Sequence, residues 1–212
     1  MKKPNYKNKE KTDTRVKDYL VSLTTELYGS IDYTVDIKLV SKFNVIHVNF
    51  QEIDSTHRFA ESYSDSEIPE NFIVLITADY QSKGIGQRSN QFVSDNGNLF
   101  CSLILKSKNE FNYSLLTLVT GLALKEGVGN YLSEVHGFND AENLFGIKWI
   151  NDLYHGSTKF GGCLVSSESI DDHSKFIVSY GLNVNVKPNI SGVKVACLKD
   201  IINSETDIDL AE

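Results

Sequence analysis

Residues Lys148–Gly162 read KWINDLYHGSTKFGG. Two apolar-rich runs, Ile147–Tyr154 and Lys159–Ser166, flank the polar stretch His155–Thr158, where Gly156 supplies a turn. The pattern predicts a hairpin of two antiparallel strands. With Gly156-Ser157 as a two-residue turn, Tyr154 pairs with Lys159 and Asp152 with Gly161. Strand alternation then sets Lys148, Asp152 and Lys159 on one face. Asp152 and Lys159 become diagonal neighbours, with Cβ atoms roughly 7 Å apart. Two ammonium groups and a carboxylate on one face suit a phosphate or a metal ion. A solvated strand face with an ordinary ion pair has the same pattern. The paired glycines Gly161-Gly162 weigh toward a ligand, because glycine weakens a strand and often marks a close approach.

Working outward, periodicity assigns the remaining elements. Val16, Tyr19, Leu20, Leu23 and Leu27 recur at helical spacing from Asp13 onward, and Gly29 stands where the helix should stop. Tyr33–Val40 is a weak strand and Phe43–Phe50 a better one. His57–Ser62 is a short helix capped by the hydroxyls of Ser55-Thr56. Asn71–Ala78 is a continuous apolar run, expected to be a strand buried on both faces. Leu99–Leu105 and Phe176–Val186 read as further strands. Tyr113–Val135 is the longest helix, with Leu115, Leu118, Val119, Leu122, Ala123, Tyr131 and Leu132 as its expected core face. Ala196–Ile202 is a closing helix. Hairpins joined to a few helices predict an α+β domain: a mixed, mostly antiparallel sheet with helices packed on it.

The 212 residues suit one domain and can bury roughly 70% of the unfolded surface. An apolar fraction of 41% and a charged fraction of 23% exclude disorder and a disulfide scaffold. A net charge of −7 argues against a nucleic-acid binder. Cys101, Cys163 and Cys197 are widely spaced and sit in apolar runs, which reads as buried thiols in a reducing compartment. No run approaches the ~18 apolar residues of a membrane span. The basic N-terminus lacks a signal-peptide core and carries Glu10 and Asp13, so a cytoplasmic protein is expected. Residues 1–12 are polar and Lys-rich, and are expected to be flexible.

Two more polar clusters interrupt the apolar elements. Gln81–Asn98 contains Gly84, Gly86 and Arg88. Glycines permit close backbone approach, successive N–H groups can form an anion nest, and a guanidinium suits phosphate. A plain turn has the same composition. Gly181-Leu182-Asn183 closes a strand, and Asn183 either meets a ligand edge or starts a turn. No Ser-His-Asp or Cys-His arrangement, GxSxG or Walker A motif is present.

The order of these clusters resembles the catalytic domain of biotin protein ligases over about residues 45–200. The carriers of the resemblance are Ser55-Thr56, Gln81 with the glycine loop, Ser94-x-x-Gly97-Asn98-Leu99-x-x-Ser102, Lys148-Trp149-x-Asn151-Asp152-Leu153-Tyr154, Lys159-x-Gly161-Gly162, and Gly181-Leu182-Asn183. The KWxNDLY segment followed by KxGG is the most specific. The resemblance implies a class II synthetase-like fold and a two-step reaction. Biotin and MgATP give biotinyl-5′-AMP, and a lysine of a biotin carrier domain of a carboxylase then takes the biotinyl group. It further implies Lys159, Arg88 and Asp152 as catalytic residues. Ser55, Thr56, Gln81, Gly84, Ile85, Gly86, Phe92, Lys159, Gly161 and Gly162 would meet biotin. Gly86, Arg88, Lys148, Trp149, Asn151, Asp152 and Asn183 would meet ATP, with Asn151 and Asp152 on the magnesium side. The protein would be a monomer or a homodimer, with no membrane or nucleic-acid partner.

Departures from the family pattern are specific. The loop usually reads close to GRGRxGR; here Ile85, Gln87, Ser89 and Asn90 remove positive charge and one glycine. Phe92 stands for the usual tryptophan and Ile150 for the usual proline. Residues 13–40 form an N-terminal helical extension, 41–190 the core, and 191–212 a closing helix with an acidic tail. No DNA-binding domain is expected. The 26 residues after Val186 are too few for a complete C-terminal β-barrel. Two other readings stay open: a degenerate module that binds biotin or biotinyl-AMP without efficient transfer, and a lipoate or octanoate ligase or transferase.

Overall fold

The computed structural model describes residues 7–40, 43–68, 72–108, 113–190 and 192–210. Among the described residues, apolar alternation folds the chain into one eight-stranded sheet. The strands are β1 (Tyr33–Val40), β2 (Phe43–Ile53), β3 (Phe72–Gln81), β4 (Leu99–Ser107), β5 (Gly146–Lys148), β6 (Asp152–His155), β7 (Thr158–Ile170) and β8 (His173–Leu182). Their order in space is β1-β2-β3-β4-β8-β7-β6-β5. β2 and β3 run parallel, and the other neighbouring pairs are antiparallel. The helices are α1 (Lys7–Tyr28), α2 (Thr56–Ser62), α3 (Tyr113–His136) and α4 (Leu198–Ile201). No helix among the described residues is long and apolar enough to cross a membrane.

Two hydrophobic clusters clothe this sheet. In the first, Val16, Leu20 and Leu23 of α1 and Phe59 and Ala60 of α2 cover Ile46, Val48 and Phe50 of β2 and Val74 and Ile76 of β3. Phe50 meets Phe59 edge to face, with ring centroids 4.9 Å apart. In the second, Leu124, Val128 and Leu132 of α3 pack with Leu153, Phe160, Leu182 and Leu198. Register shows that the clusters lie on opposite faces. Val48 pairs with Ile76, Ile76 with Ser102, and Ser102 with Ser179, so these share a face. Gly181 lies two residues on and shares it too, whereas Leu182, paired with Gly161, points to the other side.

Several expectations are corrected. α1 already begins at Lys7, so residues 7–12 are helical; residues 1–6 lie outside the described residues. Leu27 is exposed. The extension 13–40 is not helical throughout: α1 ends at Tyr28, and Tyr33–Val40 is β1, the strand expected there, which forms the sheet edge beside β2. β3 starts at Phe72, with Asn71 outside the described residues, and is buried on one face; Ile73, Leu75 and Thr77 are half-buried. The phase of α3 is also different. Thr117, Thr120, Gly121, Leu124, Val128 and Leu132 face inward, whereas Leu115, Val119 and Leu122 are exposed. Gly121 explains the choice: a Cβ there would sit 3.2 Å from the Ile150 carbonyl oxygen, so the helix lies close through its small residues.

Ile147–Tyr154 is two strands rather than one, with a turn at 149–151 that pairs Lys148 with Asp152. A bulge at Leu153/Tyr154 keeps Tyr154 opposite Lys159 but moves Asp152 opposite Gly162 instead of Gly161. β8 ends at Leu182 rather than Val186, and α4 is a single turn. Residues 211–212 of the acidic tail lie outside the described residues.

At the end of the β7–β8 hairpin, His173 Nε2 lies 2.8 Å from Asp65 Oδ2, and its Nδ1 lies 3.1 Å from Asp172 Oδ1. Lys106 Nζ is 3.2 Å from the same Asp65 oxygen. Hydrogen bonds first to Asp172 and then to Asp65 raise the pKa of His173 above the ordinary value of 6.5. The stabilisation is full below that value and is lost as pH rises through the raised folded-state value. The urea midpoint should therefore fall as pH rises above about 6.5, and His173→Gln should flatten that fall. An equally steep fall in the variant would exclude His173 as its source.

Candidate functional site

The cavity opens where β2 and β3 end. Ligands gather at the carboxyl ends of parallel strands because the following loops diverge there. β2 ends at Ile53 and leads into Asp54–Thr56; β3 ends at Gln81 and leads into the glycine loop. Ser55, Thr56, Gln81, Ile85, Gly86 and Arg88 from these two loops line a cavity of about 290 Å³. Its remaining walls include Phe92, Trp149, Asn151, Asp152, Lys159, Gly162, Ser179 and Gly181.

The floor is polar and buried. Ser55 caps α2, its Oγ accepting from Arg58 N at 3.5 Å. Gln81 Oε1 accepts from Thr56 N at 2.8 Å and from Thr56 Oγ1 at 3.2 Å. Gln81 Nε2 donates to Ser94 Oγ at 2.9 Å, and Ser94 in turn donates to Phe92 O at 3.0 Å. Behind Thr56, Ser102 donates to Thr56 Oγ1 at 2.9 Å and lies 2.7 Å from Ser179 Oγ. His57 Nδ1 completes the row, 2.7 Å from Ser179 Oγ. Burial lowers the pKa of His57, and Glu61 raises it in part. Sequence reading missed His57 and Ser179, because they lie 122 residues apart and neither sits in a recognisable motif. Ser102 ends the Ser94-to-Ser102 motif that carries the resemblance, but nothing in the sequence assigns it a partner.

The opposite wall carries the charges. Lys159 Nζ is 2.7 Å from Asp152 Oδ1, as the hairpin reading anticipated despite the shifted register. Both side chains are about a quarter exposed, at 29% and 25%. Gly162 makes this pair possible, since a Cβ there would lie 3.0 Å from Asp152 Oδ1 and 3.2 Å from Asn151 O. Asn151 is clamped to β7: its Nδ2 donates to Cys163 O, and its own carbonyl accepts from Cys163 N, each at 2.9 Å. That geometry leaves Asn151 Oδ1 as the atom for a ligand. Burial pushes the Cys163 thiol, on the same wall, up to about 12, so it stays protonated and is a poor nucleophile.

The structure does not bring every expected residue to the wall. Gly161 faces the other side of the sheet, where a Cβ would meet Leu182 Cδ1 at 2.6 Å. Gly84 serves its own loop: a Cβ would lie 2.4 Å from both Phe92 O and Ser94 Oγ. Lys148 points its ammonium at the Tyr154 ring, 5.2 Å from the centroid. Asn183 is buried away from the cavity, donating through Nδ2 to Ala196 O at 3.1 Å. The glycine loop is not an open nest either. Gly86 N donates to Asn90 O at 2.7 Å, and Ile85 pairs with Gln91. Arg88, at φ 56, is exposed at the cavity mouth.

The biotin/lipoate A/B protein ligase family model matches residues 49–185. Biotin--protein ligase 2 of Arabidopsis thaliana is 34% identical over 135 residues, which are 63% of this chain and 38% of that protein. The biotin protein ligase from Aquifex aeolicus, solved in complex with biotin and ATP, is 28% identical with a TM-score of 0.59. That alignment covers 77% of this chain and 62% of the Aquifex chain. The enzyme from Leishmania major, solved with biotin, shares the fold at a TM-score of 0.62 and 22% identity, over 78% of this chain and 66% of its own. The chain thus spans well under half of the curated relative it matches. It belongs to the biotin/lipoate A/B protein ligase family, and its sheet and helices are those of the class II synthetase-like ligase fold.

Phe92 packs directly over Gly181, where a Cβ would come within 2.7 Å of the ring. Gly181→Ala should push the ring out of the wall and weaken ligand binding about tenfold, since a displaced wall loses most of its contacts. Phe92→Ala should cancel most of the further loss when the two changes are combined, as contacting residues are non-additive. Additive losses in the double mutant would show that Phe92 does not transmit the effect.

Proposed function

We propose that this chain activates biotin with MgATP to biotinyl-5′-AMP and passes the biotinyl group to a lysine of a biotin carrier domain, such as that of a carboxylase. The observation that carries the reading is the Lys159–Asp152 pair facing a buried amide-and-hydroxyl floor across one cavity, within the segment that the family model spans.

The floor suits a cyclic urea. Thr56 and Ser179 have their hydroxyl protons engaged and offer lone pairs, which accept from ring N–H groups. The Ser55 hydroxyl proton and the second amide hydrogen of Gln81 offer donors for a carbonyl oxygen. A lipoyl dithiolane ring lacks both kinds of partner, so the floor favours biotin over lipoate. The apolar Phe92 side covers the ring system, as small-ligand cavities do.

In the first step a carboxylate oxygen of biotin bonds to the α-phosphorus of ATP and pyrophosphate leaves. Two anions must meet, so neutralisation and alignment are the protein's task. Lys159 would bridge the carboxylate and the α-phosphate, and Arg88 would reach the phosphates from the loop. Trp149, exposed at the mouth, offers a face for the adenine ring. In the second step the carrier amine bonds to the carbonyl carbon and AMP leaves. The amine must first lose a proton, and Asp152 is the carboxylate nearest to Lys159 that can take it. No protein nucleophile enters either step, and the high pKa of Cys163 fits that scheme.

Magnesium would be held by Asn151 Oδ1 and Asp152 together with nucleotide phosphates, and it would spread the phosphate charge. One carboxylate and one amide oxygen suit an ion that keeps several waters. No group of three or more His, Cys, Asp or Glu side chains among the described residues would cage a resident metal. The three buried free cysteines suit a reducing compartment such as the cytoplasm.

Biotin-dependent ATP–pyrophosphate exchange is expected from the wild type, with a loss of at least a hundredfold in Lys159→Ala. Biotin binding without exchange would overturn the ligase reading in favour of a binding module. Lipoate- or octanoate-dependent exchange alone would overturn the choice of substrate. The loop sequence generates a separate expectation. With Ile85 and Gln87 in place of arginines, release of biotinyl-AMP should be faster than in relatives with the charged loop. Gln87→Arg should slow that release about tenfold, the effect of one charge-assisted contact.

A further inference from the structure

The hydrogen bonds beneath the cavity have a determinable direction. A backbone N–H can only donate and a backbone carbonyl can only accept, so both ends of the Gln81 side chain are fixed. Thr56 N donates to Gln81 Oε1, and Gln81 Nε2 donates to Ser94, whose own proton goes to Phe92 O. The Thr56 hydroxyl gives its proton to Gln81 Oε1 and therefore accepts from Ser102. Ser102 has then spent its proton, so at 2.7 Å it must accept from Ser179. Ser179 has likewise spent its proton, so at 2.7 Å it must accept from His57 Nδ1.

We propose that His57 is a positioning residue, whose neutral ring carries its proton on Nδ1 and thereby sets the direction of the Ser179–Ser102–Thr56–Gln81 chain under the cavity. A proton on Nε2 instead would leave Nδ1 facing the lone pairs of Ser179. Ser179 would have to turn its hydroxyl to the ring, and each hydroxyl behind it would turn as well. Thr56 would then donate to Ser102, and Gln81 Oε1 would lose one of its two donors. The amide that faces the ligand would be held by one bond fewer, from a change made three hydroxyls away.

The environment of Nε2 makes this a real choice. Ser166 Oγ lies 3.2 Å from it and can donate to a bare nitrogen. Glu61 Oε1 lies 3.4 Å away and attracts a proton to the same atom. Glu61 is 52% exposed, so water weakens its pull. The Ser179 contact is shorter and buried, where a mismatched pair of lone pairs costs most.

For ligand affinity the inference rests on the biotin reading, but the tautomer itself can be read without any ligand. The ring-nitrogen chemical shifts of isotope-labelled histidine in the ligand-free protein, at about pH 8 where the ring is neutral, should show the Nδ1–H form for His57. An Nε2–H form would overturn the proposal whether or not biotin binds. In biotin-dependent exchange, His57→Leu should raise the KM for biotin about tenfold with much less change in kcat, because the chain holds the floor and not the reacting atoms. His57→Asn, of similar size and able to present an N–H to Ser179, should recover most of that loss. Equal losses in both variants, or a loss in kcat alone, would overturn it. If the variants fail to fold, the wild-type tautomer decides. If the wild type does not bind biotin, the function proposed above fails and the tautomer still decides the role of His57.

Discussion

The sheet is covered on opposite faces at its two ends, and the site is a consequence of that arrangement. α1 and α2 cover β2 and β3 on one face, while α3 and the C-terminal segment cover β5–β8 on the other. On the first face α2 reaches β8 through His57 and Ser179 and leaves the neighbouring ends of β7 and β8 open to the cavity. A bare apolar surface there would expose a large patch, which folded proteins avoid unless something binds it. The residues on that surface are instead small or polar: Gly162, Ser179 and Gly181, with Ser102 beside them. The absence of bulk creates the cavity, and the loops that follow β2 and β3 fold over it as walls.

A polar floor inside a domain is costly unless each group finds a partner. Here the partners form one row, from Ser94 through Gln81, Thr56, Ser102 and Ser179 to His57. Five elements contribute, the loop at Ser94, β3, α2, β4 and β8, so the row also ties β3 and α2 to β4 and β8. Stability and recognition therefore draw on the same bonds. Across the cavity the logic is electrostatic. Lys159 and Asp152 hold each other at a quarter exposure, where an ion pair adds little to stability but keeps the ammonium aimed inward.

Much of this was legible in the sequence wherever the cause was local. The capping hydroxyls of Ser55-Thr56, the apolar run of β3 and the turn at Gly156 each declare themselves within a few residues. The Lys159–Asp152 contact followed from hairpin alternation, even though a bulge shifted the register by one residue. What could not be read depended on partners far along the chain. The face that α3 buries is chosen by close approach at Gly121 to the turn at 149–151, against the simpler leucine stripe. The Ser102–Ser179 and His57–Ser179 contacts join residues 77 and 122 positions apart, between side chains common in any strand or helix. Glycine was ambiguous in the same way. Gly84, Gly161 and Gly162 look alike in sequence, but one closes its own loop, one makes room for Leu182, and one makes room for the ion pair.

The two sides of the cavity differ in how they are built, and that difference bears on what each can contribute. Lys159, Asp152 and Ser179 stand on strands of one continuous ladder, and Asn151 is clamped to it by two bonds. Groups fixed in this way suit the alignment of reacting atoms, where an error of about 1 Å costs two orders of magnitude. Arg88 stands on a loop that closes mostly on itself, through Gly86–Asn90 and Ile85–Gln91, and it holds a left-handed backbone that arginine adopts only at a cost. Such a segment belongs to the less stable end of a structure. The ladder side therefore supplies geometry that exists before any ligand arrives. The loop side supplies charge whose final position must be bought from binding energy, and with fewer positive residues than the family pattern it has less charge to place.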